Sequence, residues 1–150
     1  DVEDIAEIIS RSAKILGCKL PADLSMKLAS SARQTPRVAN RLLKRVRDFA
    51  DVRNDSLIDF AIVEQTLESL GVDHLGLDRV DRALLQAIVE KFEGGPVGLH
   101  VLAAAIHEER ATVEDIYEPY LIKLGMLDRT PRGRTATKLA YSHLGIEFSA

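Results

Sequence analysis

Apolar residues recur at helical spacing through most of this chain, in two groups divided by a stretch with no period. Ile5, Ile8, Ile9, Ala13 and Leu16 form the first stripe. Glu3, Asp4 and Glu7 lie toward its N-terminal end and Arg11 and Lys14 toward its C-terminal end, the order the helix dipole favours. The pattern predicts a helix from about Val2 to Leu16, stopped by Gly17. Leu20 to Asp23 reads as a short linker, with Asp23 as N-cap of a second helix over Leu24 to Ser31. A third helix is expected from Pro36 to about Asp51. Thr35 is its N-cap, and Pro36 occupies the first position, where a missing donor costs nothing. Val38, Leu42, Val46 and Phe49 make its apolar side, widened by Leu43 and Ala50. Asp59 is placed to cap a fourth helix carrying Phe60, Val63, Leu67 and Leu70. Four short helices with brief connectors describe a small helical bundle.

The period lapses from Gly71 to Asp78, a stretch with two glycines, and a domain boundary is expected there, between residues 1–74 and 75–150. His74 within it reads as a solvated side chain. Beyond it, Asp78 or Asp81 opens a helix with Val80, Leu84, Leu85, Ile88 and Phe92 at helical spacing, broken by the run from Glu93 to Gly98. Leu99 to Ile106 forms a short helix, and His107 to Ala111 a turn. Thr112 then reads as the N-cap of a helix that runs to Gly125, with Asp115 three residues on and Pro119 inside as a kink. Met126 to Thr137 gives two short strands around a turn at Thr130 to Gly133, and Lys138 to Gly145 a last helical segment. Helix, helix–turn–helix and hairpin in this order make a winged helix, whose third helix faces a DNA groove and whose hairpin touches the backbone.

Composition adds limits. Of 150 residues, 46% are apolar and 29% charged, the balance of a soluble globular chain. No apolar run approaches the roughly 18 residues that span a bilayer. The acidic start lacks the apolar region of a signal peptide, and a cytoplasmic protein is expected, with no membrane association. Beginning at Asp rather than Met suggests a piece of a longer chain. The single cysteine, Cys18, excludes an intrachain disulfide and reads as a small half-buried residue. With a net charge of −3, contact with nucleic acid has to come from local patches.

Two such patches exist. From Arg33 to Arg53 seven basic residues face two acids. This is either the solvated face of an amphipathic helix or, at Arg37 beside the helix N-terminus, a contact to phosphate. The hairpin concentrates Arg129, Arg132, Arg134 and Lys138, with three threonines suited to phosphate oxygens. The third helix of the winged helix offers Glu114, Asp115 and Glu118 and none of the side chains that read base edges, so binding through the backbone is expected, nonspecific and salt-sensitive. Arg110 can add a phosphate contact or pair with Glu109 or Glu114. Catalytic constellations are missing. There is no P-loop, since the Gly94 to Gly98 run lacks its lysine, and no paired acids for Mg²⁺. His100, His107 and His143 lack partners at metal spacing, and no serine sits in a nucleophile elbow.

Several stretches together resemble the RuvB family of bacterial AAA+ motors. They are Arg11-Ser-Ala13, Gln34-Thr-Pro-Arg-Val-Ala-Asn-Arg-Leu-Leu-Lys-Arg-Val-Arg-Asp-Phe-Ala50, Gly76-Leu-Asp78, Gly94-Gly-Pro-Val-Gly-Leu99, Glu118-Pro-Tyr-Leu121, Arg129-Thr-Pro-Arg-Gly-Arg-Thr-Ala136 and Ala140-Tyr-Ser-His-Leu-Gly145. The likeness runs in order through essentially the whole chain. It implies a mainly α protein, a small four-helix AAA+ lid followed by a winged-helix DNA-binding domain, without the family's large ATPase domain. It further implies ATP-driven migration of Holliday junctions in recombination and repair. The expected partners are four-way junction DNA, a RuvA-type junction-binding protein, a RuvC-type resolvase and a hexamer of the full-length chain.

Residue by residue, the resemblance makes Arg37 the sensor-2 arginine that reaches nucleotide phosphates. It makes Arg129 and Arg134 the wing arginines on the DNA backbone, and Arg110 a further DNA contact. ATP and Mg²⁺ belong to the full-length protein, and residues 1–150 alone are expected to hydrolyse nothing. Gln34 stands where the family motif usually has glycine, which stiffens the turn before the helix. The competing class is a stand-alone winged-helix regulator with a helical dimerisation domain, which requires sequence-specific binding.

Overall fold

The computed structural model describes residues 1–149, and its contacts divide them into two compact units, Asp1–Asp78 and the residues from Arg79 onward. The first unit holds α1 (Val2–Ile15), α2 (Ala22–Ser30), α3 (Pro36–Arg53) and α4 (Phe60–Leu70). Its core takes Ile5, Ile9 and Ala13 from α1, Leu24 and Leu28 from α2, Leu43 and Val46 from α3, and Ile62, Val63 and Leu67 from α4. Along α3 the most deeply buried line is Ala39, Leu43, Val46 and Ala50. Val38 and Phe49, expected on the apolar stripe, only flank the core, and the Arg53 guanidinium covers the Phe49 ring at 4.7 Å. Small residues on α3 let neighbouring helices approach, so alanines take the centre. Two polar pegs tie the helices: Ser10 Oγ donates to Ser25 Oγ at 3.0 Å, and Ser12 Oγ to Asn40 Oδ1 at 2.9 Å.

The caps of α3 and α4 are those the sequence indicates. Thr35 accepts from the Val38 N–H and Asp59 from the Ile62 N–H at 2.9 Å. The expected Asp23 cap is not formed. Pro21 holds the N-cap position of α2 and Asp23 lies in its first turn, where its charge still favours the dipole. Ahead of α3, Arg33 and Gln34 both adopt left-handed backbone, with φ of 53° and 57°. The aperiodic stretch is ordered. Asp73 Oδ1 accepts from the N–H groups of Leu75 and Leu77, and Arg33 Nη1 donates to the Gly76 carbonyl at 3.2 Å. The boundary expected after residue 74 falls inside this loop, and the contacts divide four residues later.

The second unit opens with α5 (Arg79–Gln86), which widens into a π-helical turn at Ala87–Lys91. After it come α6 (Leu99–Ala105), α7 (Arg110–Thr112), a second π-helical turn Val113–Tyr117, α8 (Glu118–Lys123), β1 (Leu127–Thr130), β2 (Gly133–Ala136) and α9 (Lys138–Leu144). Leu84, Leu85, Ile88, Leu102, Val113, Leu121, Leu127 and Ala140 fill its interior. Thr112 is not the N-cap. The helix begins at Arg110 behind Glu109, so Thr112 already has helical backbone and Arg110 stands in the first turn rather than in the loop. The expected kink at Pro119 takes the form of the second π-turn.

The run Gly94 to Gly98 breaks the preceding helix as expected and also builds structure. Val97 exchanges both main-chain bonds with Arg134, at 3.0 and 2.7 Å, and the Gly94 carbonyl accepts from the Ala136 N–H. The hairpin is thereby flanked on its β2 side. Glycine is required for this approach. Gly95 has φ of +93°, and a Cβ there would run into the Arg134 carbonyl, while a Cβ on Gly133 would lie 2.5 Å from the Val97 carbonyl oxygen. Gly95→Ala is therefore expected to lower stability on the order of 2 kcal/mol, through strain at positive φ and the collision with backbone. Urea titration followed by circular dichroism checks it.

Candidate nucleic-acid interface

The wing pairs antiparallel, with Leu127 opposite Ala136, Asp128 opposite Thr135, Arg129 opposite Arg134 and Thr130 opposite Gly133. Pro131 and Arg132 alone make the tip. Thr130 Oγ1 closes it, donating to the Gly133 carbonyl at 2.8 Å and accepting from the Arg132 N–H at 3.2 Å. This register sets two arginines directly across from one another, an arrangement that like charges oppose.

A carboxylate resolves the conflict. Glu118, at the start of α8, is fully buried. Arg134 turns one edge of its guanidinium onto it, Nε to Oε2 at 2.8 Å and Nη2 to Oε1 at 3.1 Å. Arg129 meets the same Oε1 with Nε at 3.0 Å and Nη2 at 2.9 Å. Glu114 adds a more distant oxygen, Oε2 at 3.4 Å from Arg134 Nη2. The hydrogen bond to Glu118 outweighs the cost of burial and pushes the Arg134 pKa up from its ordinary value. Arg134 keeps only 16% of its side chain exposed and Arg129 keeps 44%.

The π-turn supplies one more contact. In an α-helix the Glu118 N–H would go to the Glu114 carbonyl, but here it goes to Val113. Pro119, the next residue, has no N–H to offer. The Glu114 carbonyl is thus left without its helical donor, and Arg129 Nη2 takes it at 3.2 Å. The sequence sets Glu118 beside Glu114 and Asp115 among the acids of the third helix. Its burial and its service to both arginines were missed, and the signal available was the Glu-Pro pair inside an otherwise regular helix.

The other candidate residues lie apart. Arg110 is exposed and donates through Nη1 to His100 Nε2 at 2.9 Å, instead of pairing with Glu109 or Glu114. Arg132 and Lys138 are exposed. Arg37 belongs to the first unit and is exposed on the first turn of α3, one residue after Pro36. Along the same helix Arg41, Lys44 and Arg45 border an open groove floored by Val38, Leu42, Leu70 and Val72. Cys18 is partly buried, and burial pushes its thiol above the ordinary pKa, the opposite of what a reactive thiolate needs. Among the described residues no group of three or more His, Cys, Asp and Glu is gathered as a metal site, and no helix is long and apolar enough to cross a membrane.

Comparison with known proteins also matches the chain in two parts. The family model of the RuvB AAA lid domain matches residues 1–73, and that of the RuvB C-terminal winged helix domain matches residues 74–145. Among solved structures, one described as the Thermotoga maritima RuvB Holliday junction branch migration motor is similar, with 44% identity and a TM-score of 0.93. The match covers 99% of this chain and 50% of that one. Two point mutants of the same Thermotoga maritima protein give the same figures. This chain thus spans about half the length of those solved chains.

The unequal burial of the two wing arginines has a measurable consequence. Arg134→Ala leaves the Glu118 carboxylate buried with one partner lost and is expected to cost about 3 kcal/mol. Arg129→Ala removes a half-exposed partner and should cost roughly 1 kcal/mol or less. Thermal unfolding of the two variants, side by side, checks the order.

Proposed function

The chain belongs to the RuvB family, as an AAA lid followed by a winged helix, and from this premise we propose that it is the nucleotide-sensing lever and DNA grip of an ATP-driven Holliday junction branch migration motor. The observation that carries the reading is the pairing of two features in one chain. An exposed arginine stands at the N-terminal turn of a lid helix, and a two-arginine wing is braced for backbone contact.

In this mechanism Arg37 reaches the phosphates of ATP. The residues present fit that part of the task, because a cation at the helix start and the helix dipole both favour a phosphate there. Among the described residues no carboxylates are grouped for Mg²⁺, and no P-loop sequence occurs in residues 1–150. The nucleotide, its Mg²⁺ and its hydrolysis are assigned to a large ATPase domain of the kind the family carries. The Thr35 cap and Pro36 fix the first turn of α3, so a displacement of Arg37 moves an 18-residue helix as a unit.

The winged helix then holds the DNA backbone through Arg129, Arg134 and Arg110, without reading bases. Assembly of the full-length protein as a hexamer, its work with RuvA-type and RuvC-type partners, and a cytoplasmic location belong to the same proposal. The regulator alternative is disfavoured by the helix that would enter the groove, which exposes Glu114, Asp115 and Ile116 rather than base-reading side chains.

Two measurements test the reading. Titration of unrelated duplexes should give equal affinities with a steep salt slope, and Arg129→Ala should weaken all of them alike and reduce the slope by about one. A preferred sequence would instead favour the regulator. In the full-length protein, Arg37→Ala should abolish ATP-coupled branch migration and leave DNA binding intact. Unchanged migration would remove Arg37 from the mechanism.

A further inference from the structure

Glu118 has no place in the DNA contact by the usual count of charge, since a carboxylate under a DNA-binding surface subtracts from it. Its geometry says otherwise. Both carboxylate oxygens are engaged by guanidiniums that the wing register places opposite one another. Each arginine presents its Nε–Nη2 edge to Glu118, and these are the edges that would otherwise turn freely. The Nη1 groups are left to a ligand. The Glu114 carbonyl, released by the π-turn and Pro119, adds a third fixed point on Arg129. Arginine side chains carry about 2 kcal/mol of rotamer entropy. Here much of that freedom is already lost before any ligand arrives.

We propose that Glu118 is a positioning residue that holds Arg129 and Arg134 as one preformed clamp for a DNA backbone phosphate, with the Glu114 carbonyl as its second support. The inference rests on the DNA-binding reading above and adds a role for an acid that this reading alone counts as unfavourable. Glu118 touches no DNA itself. It acts by fixing the distance and facing of two guanidiniums, so that a phosphate meets them in place and their ordering is not charged against binding.

The sign of one substitution separates positioning from simple charge. Glu118→Gln removes a negative charge beneath the wing, and charge counting alone calls for tighter DNA binding. Positioning calls for the reverse, because the amide offers one acceptor oxygen where two arginines need both, and its NH₂ faces a guanidinium. We expect Glu118→Gln to weaken binding of a plain duplex roughly tenfold, about the loss of one well-placed phosphate contact, and to lower the salt slope by about one. Glu118→Asp, which keeps the charge at shorter reach, should recover part of the loss.

Equal or tighter binding by folded Glu118→Gln overturns the proposal while leaving the DNA reading standing. Absence of binding by the unaltered chain overturns both. A second readout needs no variant. In the unaltered chain without DNA, the Nε–H groups of Arg129 and Arg134 should give sharp NMR signals protected from solvent exchange. Averaged, rapidly exchanging signals would show that the arginines are not held, and would end the proposal even if Glu118→Gln does not fold.

Discussion

One buried carboxylate holds the second unit's working surface together. The strand register sets Arg129 against Arg134, and an isolated hairpin with two guanidiniums face to face would splay or twist away. Glu118 lies fully buried between them and accepts from both. Burying that charge is tolerable only because each oxygen is used, and the pair is stable only because the arginines keep an edge in water. Remove either side and the other becomes a liability. Position of the wing and position of α8 are consequently one constraint, met from two ends.

The means of reaching that arrangement are backbone means. Pro119 cannot donate, and the helix answers by widening to a π-turn over Val113–Tyr117. That turn shifts the Glu118 N–H to Val113 and leaves the Glu114 carbonyl facing outward for Arg129. On the far side of the hairpin, Gly95 and Gly133 permit Val97 and Arg134 to bond main chain to main chain. The wing is held from below by a side chain and from beside by backbone. In the first unit the comparable device is the left-handed pair Arg33 and Gln34, which turns the chain sharply into the Thr35 cap. Glycine would suit the Gln34 backbone better, since non-glycine residues pay about 1 kcal/mol there. Gln34 therefore carries strain at the very turn that leads to Arg37.

Much of this was legible from the residues. Helical periodicity located nearly all the helices, Thr35 and Asp59 declared themselves as caps, and the Thr-Pro-Arg-Gly turn marked the hairpin within a residue. What escaped was whatever depended on tertiary company. Val38 and Phe49 have the right spacing for a core, but the small Ala39 and Ala50 let neighbouring helices settle against their line instead. Thr112 has the composition of an N-cap, yet the chain turns helical three residues earlier because Glu109 provides the extended backbone. Glu118 was misjudged most. An acid on a helix reads as exposed unless something buries it, and what buries it comes from arginines eleven and sixteen residues later. Local patterns cannot announce a partner that only the hairpin brings.

A further consequence follows from the sum of the cluster. Arg129, Arg134, Glu114 and Glu118 together carry no net charge, and the whole chain is negative. Seen from beyond a Debye length, about 8 Å at physiological salt, the braced centre of the wing is close to silent. Its field is that of separated charges of opposite sign, which fades with distance much faster than that of a basic patch. In the proposed role, a polyanion would meet this centre less through long-range pull than through fit at touching distance, where the outer N–H groups are available. By the same geometry, a phosphate that had moved a few ångströms away would feel little of its pull.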